Sequence, residues 1–559
     1  KFIGFVGELH ITPTKRWTAL PAKHCTVCGI EYVPGSGISK YCPACAKRIQ
    51  REKSNESKRR SREQKRMVCI ELSAKNDRLR RDRMDRLVWD KLLCTRRQRP
   101  SLAEKKDSKP NTVIARNEFE ADYDRIVGSS SVRRLQDKAQ VFPLQENDFT
   151  RTRLTHSMEV SALARSLGKA VGRQLEQTGE FNYNRTDELA ALLQTAGLIH
   201  DLGNPPFGHY GETVIRNWFE NCFSDNSLLK KGGILSEQEK NDFIYFDGNV
   251  QNLRIVTKLQ TLNDPFGANF TYATLATIIK YPWKSNGKEV KNGKEKFGYF
   301  RSEGPLVRKI QKATGLKDGC RHPATYLLEA ADDMIYVCDD IEDGVKKGYI
   351  QWEKEYEKIK KEFKRDDYLN LFNILDDKKT DSSMSEADIR LAKVRNFRNL
   401  VQGYLFRRAV NEFMGHYEEI MSGSYEKSEL LACEDDFITY LKKEVTGKNC
   451  FGCHEVLSLE LVGDRVVNKL LDVFVRTLIE SGGKDLEDVR IYPGKIFSLI
   501  SSNFKYVAMY DYNNEKHKES LSELSLYDKL HLAVDFISGM TDSYAVNLYQ
   551  DLNGIRLPQ

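Results

Sequence analysis

The sequence predicts a mainly α-helical body preceded by a small cysteine-rich module, and three observations predict it. Apolar residues through most of the chain recur at helical spacing, as in Leu163, Leu167, Val171 and Leu175, then Leu189, Leu193, Ala196 and Ile199. Two Cys-x-x-Cys pairs, Cys25–Cys28 and Cys42–Cys45, stand close together near the start, while the other eight of the twelve cysteines are spread along the chain, Cys450 and Cys453 alone sharing that spacing. Charge divides in the same place. Residues 1–110 hold 28 Lys and Arg against 12 Asp and Glu, a net +16, so the remainder of a +8 chain carries −8.

At 559 residues the chain exceeds one ordinary domain. With 40% hydrophobic and 30% charged residues it has the composition of a soluble globular protein. It contains no run of eighteen apolar residues, so no membrane-spanning helix is expected. Scattered cysteines predict a reducing, cytoplasmic setting rather than a disulfide framework. Lys1 leaves open whether a segment precedes it, and no signal-like apolar stretch is present.

In chain order, closely spaced apolar residues in 1–20 predict one or two strands. Each Cys-x-x-Cys turns the backbone so that two thiolates face one point, and two such turns make the tetrahedral sulfur set that Zn²⁺ prefers. Four thiolates leave no open coordination position, which makes the site structural. His24 is a spare donor that four sulfurs do not need. The stretch Glu31–Gly37 has hairpin chemistry. Residues 1–65 are therefore expected to form a zinc-ribbon-like module.

Residues 66–110 read as a basic helical or flexible linker into the body, continuing an Arg/Lys-rich run that includes Lys58–Arg62 and Arg78–Arg83. Interleaved acids fit a solvated helix with internal ion pairs. The alternative is a grip on a nucleic-acid phosphate backbone, and the scarcity of aromatic residues disfavours base stacking by this segment. Residues 111–559 form the predicted helical body, with charged surface loops over Trp283–Lys294 and Asp376–Ser385.

Four fragments in the body carry chemistry: His156 near the start of an amphipathic helix, the adjacent pair His200-Asp201, the run Glu329–Asp340, and His209 with Glu212 after Asn204-Pro205-Pro206. Asp332, Tyr336 and Asp340 stand at i, i+4 and i+8, so they share one helix face. Pro323 is placed to open that helix and Gly344 to end it. Two imidazoles and two carboxylates suit Mn²⁺ or Mg²⁺, with Co²⁺ or Fe as alternatives, and leave positions for water and a phosphate oxygen. Cys450-Phe-Gly-Cys453-His454 matches the haem-attachment pattern, but that chemistry needs export, so a chance loop is expected.

The order H…HD…D resembles the HD-domain metal-dependent phosphohydrolases. More specifically, Ser131–Leu144, Arg151–Val160, His200–Glu212, Phe246–Gln251, Glu329–Asp333 and Ile537–Tyr544 are similar to bacterial dGTP triphosphohydrolases. The resemblance begins near Trp89 and omits the cysteine module. Asp247 stands where those enzymes carry Glu. The resemblance implies hydrolysis of dGTP to deoxyguanosine and inorganic triphosphate by water attack on the α-phosphorus. It implies His156, His200, Asp201 and Asp332 as metal ligands, with His209 and Glu212 handling protons. It also implies Arg153 at the α-phosphate, Gln140 and Asp340 at the 3′-hydroxyl, and Tyr336 crowding a 2′-hydroxyl. A ring-like homo-oligomer, a hexamer for example, and modulation by single-stranded DNA or other nucleic acid are further expectations. The alternatives are a triphosphohydrolase of broader dNTP range, another HD nucleotide phosphohydrolase, and a nucleic-acid-binding nucleotide sensor without turnover.

Overall fold

Packing divides the chain into two units, Lys1–Arg86 and Leu87–Gln559. The computed structural model describes residues 21–34, 36, 38–54, 56, 86–99, 116–140, 142, 151–225, 233–260, 265–287, 296–378, 383–512 and 514–556. The strands expected in 1–20, the basic run 57–85 and the loop tip 288–294 lie outside the described residues.

In the first unit, β1 (Lys23–His24) pairs antiparallel with β2 (Glu31–Tyr32). Cys25–Ile30 joins these two strands, while Gly35 and Gly37 of the expected Glu31–Gly37 hairpin lie outside the described residues. Gly29, with φ +73°, provides the left-handed step that lets the Cys25 and Cys28 thiols curl toward one point. Residues 43–54 continue as a helix.

Leu87 and the residues after it pack with the second unit. Leu87, Trp89, Leu92 and Leu93 are buried around the short α1 (Trp89–Leu92), and Trp89 Nε1 donates to the Tyr417 hydroxyl at 2.7 Å. Arg97 pairs with Asp122 and Glu118 on α2 (Glu118–Val127). The surrounding basic run hides this apolar cluster in the sequence.

The body is helical, as predicted; its described strands are one two-residue pair, Tyr510–Asp511 with Lys516–His517. At its centre α3 (Arg153–Gln177) packs along α4 (Tyr183–Ile199). Leu167, Val171, Leu175, Leu189, Leu193, Ala196 and Ile199 are fully buried there, as the periodicity requires. The helices approach closely because small residues face each other: a Cβ on Gly197 would lie 2.7 Å from Ser161 Cα. Against this pair lies α7 (Pro323–Lys346), itself backed by α8 (Glu386–Gly415). A second core gathers α5 (Gly208–Asp225), α9 (His454–Glu480) and α10 (Leu526–Ser538). The short α6 is Gly248–Arg254, and α11 is Asp542–Leu552.

Pro323 opens α7 as expected, but Gly344 does not end it. The helix runs to Lys346, and Gly344 is required for packing, since a Cβ there would meet Cys450 Sγ at 2.5 Å. Cys450 itself is buried, and Cys453 caps α9. His322 caps α7: its Nδ1 accepts from Ala324 N at 3.1 Å, while Nε2–H donates to Leu92 O at 3.1 Å. Acceptance at Nδ1 needs the neutral ring, and burial pushes this imidazole down to about 4 against the Leu92 bond, which favours the charged form. The unfolded chain therefore takes up the proton first. This stability is complete above about pH 6.5 and is lost as pH falls toward 4, about 3 kcal/mol at the limit. In urea titrations between pH 4 and 7, His322→Gln is expected to flatten this part of the acid dependence; an unchanged slope would contradict the assignment.

Candidate active site and cysteine cluster

Cys25, Cys28, Cys42 and Cys45 bring their sulfurs within 4.8 Å of one another, and Cys28 Sγ lies 3.7 Å from Cys42 Sγ. That edge matches a tetrahedron of Zn–S bonds of about 2.3 Å, whose edge is roughly 3.8 Å. The Cys42 backbone N–H, followed by other hydrogen bonds, pulls the Cys25 thiol down to about 6. Cys28 first, and then the other thiols, hold Cys45 up at about 12. The four sulfurs share protons, which a dication binding all four displaces. His24 takes no part in this cluster; its Nδ1 lies 3.1 Å from Gly29 O.

In the body, α3 supplies His156, the C-terminus of α4 supplies His200 and the following Asp201, and α7 supplies Asp332. His156, His200 and Asp201 place ligand atoms within 4.8 Å of one another. Asp332 Oδ1 lies 3.1 Å from His156 Nε2 and 3.5 Å from His200 Nε2. The His200 Nδ1–H donates to Gly197 O at 2.8 Å, which fixes the tautomer and turns the Nε2 lone pair into the cluster. That Nε2 is buried and without a hydrogen-bond partner among the described residues. The donor set thus fits a divalent cation.

Electrostatics agree. Burial pushes His200 down, yet Asp201 and Asp332 outweigh it and hold the ring up at about 9. Burial also favours neutral Asp201 and Asp332, but His200 first, then Arg153 at Asp201 and His156 at Asp332, keeps both below the usual carboxylate range. A cation held there must displace the His200 proton.

Asn204-Pro205-Pro206 interrupts the helices, and Phe207 (φ 62°) and Gly208 (φ 58°) turn the chain into α5. Gly208 suits this left-handed position because it has no Cβ, and Arg153 Nη2 occupies the space a Cβ would take. Glu212 is buried, accepting from Gly248 N at 2.8 Å and Arg216 Nη2 at 3.0 Å. His209 is largely exposed and donates to Glu212 Oε2 at 3.2 Å, the bond that most raises its pKa. Arg153 is buried and donates through Nη1 to Asp201 Oδ2 at 2.6 Å, so it braces a predicted ligand as well as facing the site.

Gln140 follows an antiparallel bridge between Ala139 and Thr152 that ties it beside Arg153. Gln140 Oε1, Arg153 Nε and Asp340 Oδ2 are buried without a hydrogen-bond partner among the described residues. Burial, then Asp343, raises the Asp340 carboxyl well above its usual range. Lys442 Nζ lies 5.2 Å from the centre of the Tyr336 ring. A cavity of about 410 Å³ lies elsewhere in the body, lined in part by Arg254, Lys258 and His531; none of the predicted site residues lines it.

Several site residues had no signal in the sequence. Asn204 Nδ2 donates to Asp201 Oδ1 at 2.7 Å, and Asn252 Nδ2 to His200 O at 3.1 Å. Lys280 pairs with Glu329, three residues before Asp332, and Lys296 pairs with Asp247, the cap of α6. Lone lysines in a polar loop carry no spacing that marks them.

Fold and site together define a metal-dependent HD-domain hydrolase, and the HD domain family model matches residues 153–231. The chain is 39% identical over 480 residues to a deoxyguanosinetriphosphate triphosphohydrolase-like protein of Listeria innocua, covering 84% of this chain and 100% of that protein. It is 30% identical over 487 residues to a deoxyguanosinetriphosphate triphosphohydrolase of Yersinia enterocolitica, covering 78% and 93%. A similar relative from Synechocystis is 32% identical over 491 residues, covering 84% and 100%. The chain belongs to the deoxyguanosinetriphosphate triphosphohydrolase family. Among the described residues no helix is long and apolar enough to cross a membrane.

Proposed function

We propose that this protein hydrolyses dGTP to deoxyguanosine and inorganic triphosphate, with water attacking the α-phosphorus and the nucleoside 5′-oxygen leaving. The observation that carries this reading is the cluster of His156, His200, Asp201 and Asp332 in a chain that aligns along the full length of a dGTP triphosphohydrolase-like relative. These four hold Mn²⁺ or Mg²⁺, and the cation, when bound, supplies water activation and charge neutralisation. Glu212 and His209 hold and relay the proton. Arg153, Lys280 and Lys296 offset charge on the phosphates. Gln140 and Asp340 meet the 3′-hydroxyl with their unpartnered atoms, and the Tyr336 ring fills the space a 2′-hydroxyl needs. Incubation of the purified protein with Mn²⁺ or Mg²⁺ and each of the four dNTPs tests this. Deoxyguanosine and triphosphate from dGTP, faster than from the other three, are expected. Release of dGMP, or no turnover of any dNTP, would overturn it; equal turnover of all four would favour the broader triphosphohydrolase.

The same reading takes Zn²⁺ as the ion of the four cysteines, a homo-oligomer as the assembly and the cytoplasm as the setting. The N-terminal unit is proposed to bind nucleic acid, an idea favoured by exposed Lys47, Arg48, Arg51 and Lys53 on the 43–54 helix. Deleting residues 1–84 is expected to weaken single-stranded DNA binding and flatten its salt dependence. Unchanged affinity would remove this part of the proposal.

A further inference from the structure

The C-terminal Thr541-Asp542-Ser543 motif has no part in the chemistry above, yet Asp542 is 1% exposed and sits at the first turn of α11. Its two carboxylate oxygens accept backbone hydrogen bonds from two distant parts of the site. Oδ1 accepts from Phe207 N at 2.9 Å, and Oδ2 from Ala139 N at 2.9 Å. Phe207 is the left-handed residue that turns the chain into the helix of His209 and Glu212. Ala139 precedes Gln140 and bridges to Thr152, which caps the helix of Arg153 and His156.

A buried lysine doubles the link. Lys138 Nζ donates to Asn204 O at 2.5 Å and to Ser538 O at 3.0 Å, and Lys138 O accepts from Arg153 N at 3.1 Å. Asn204 in turn holds Asp201. The proline-containing loop and the Gln140 arm are thus each fastened to the C-terminal segment, and to each other directly through Lys138 and Asn204.

A carboxylate suits this place because only a group with two acceptor oxygens can satisfy two N–H donors that face each other across it. Phe207 has little choice of partner. Its backbone is in a region that bulky residues avoid, which persists only where the surroundings over-determine it. The ring supplies the other half of that constraint, pressing on α9 at Gly463, where a Cβ would lie 2.8 Å from Phe207 Cγ.

We propose that Asp542 is a positioning residue that sets, from the C-terminal helix, both the seat of His209-Glu212 and the reach of Gln140. The geometry therefore couples proton handling to recognition of the sugar, which ordinary core packing would not do. This rests on the function proposed above for its kinetic readout, but not for its structural one.

Asp542→Asn tests it. The amide keeps the shape but has a single acceptor, so it can serve Phe207 or Ala139 and not both. Hydrogen exchange of the full-length protein is expected to quicken in 136–142, in 204–212 or in both, with the helical core unchanged. In kinetics, kcat for dGTP is expected to fall roughly tenfold or more while the melting temperature stays close to wild type. Discrimination between dGTP and 2′,3′-dideoxy-GTP is expected to collapse toward unity. Unchanged exchange in both segments would overturn the proposal whatever the substrate proves to be. So would a folded variant with wild-type kcat and sugar discrimination, or a loss of activity that only tracks loss of folded protein. If wild-type protein does not turn over dGTP, the functional reading fails, and hydrogen exchange still decides the role of Asp542.

Discussion

Asp201→Ala is expected to lower kcat by at least about 1,000-fold, equivalent to about 4 kcal/mol of transition-state stabilisation. Asp201 has three partners at once. It is within ligand distance of the His156–His200 cluster, it pairs with Arg153 at 2.6 Å, and it accepts from Asn204 at 2.7 Å. Its loss removes one carboxylate of the candidate cation site and frees a buried guanidinium to swing toward the remaining donors. Metal content should fall with activity, so equilibrium dialysis against Mn²⁺ followed by elemental analysis checks the cause. A variant that retains activity within tenfold of wild type would show that the cation does not depend on Asp201.

The largest expected effect on stability lies one helix away. Arg254 is buried and donates to Asp535 through Nε and Nη2, both at 2.7 Å, and to Glu303 at 3.0 Å. Lys258 pairs with Glu303 at 2.6 Å, so two buried cations face two buried anions. Asp535→Ala leaves Arg254 and Lys258 sharing the single carboxylate of Glu303, one buried positive charge in excess, and is expected to destabilise the body by about 3–5 kcal/mol. The pair also fastens α6 to α10, and α6 carries the Asn252 that braces His200. Chemical denaturation of Asp535→Ala, and of the double variant Arg254→Met with Asp535→Leu, separates pairing from packing. The double variant is expected to lose less than the single one. A single-variant loss below 1 kcal/mol would show that the ion pair does not hold these helices together.

What was legible in the sequence follows from physical locality. His200 and Asp201 are adjacent, Asp332, Tyr336 and Asp340 repeat on one helix face, and the cysteine pairs have a spacing that admits few other readings. The apolar repeats of α3 and α4 told the same story as their burial. Gly344 misled because a glycine near a helix end and a glycine required by a neighbour's sulfur look alike in one dimension. The partners of Arg97, Glu118 and Asp122, lie more than twenty residues on and gave no local signal. Lys280 and Lys296 escaped notice for the same reason, and the segment holding Asp542 showed a resemblance but no partners. Asp542 meets Phe207 and Ala139 across 335 and 403 residues, separations at which no periodicity survives.

The most direct test of the central claim is hydrolysis of dGTP in ¹⁸O-labelled water with the intact protein and Mn²⁺, read by mass spectrometry of both products. The account predicts one ¹⁸O in the triphosphate and none in deoxyguanosine, because water attacks the α-phosphorus and the 5′-oxygen departs. Label in the deoxyguanosine, or a labelled monophosphate or pyrophosphate in place of triphosphate, would contradict it.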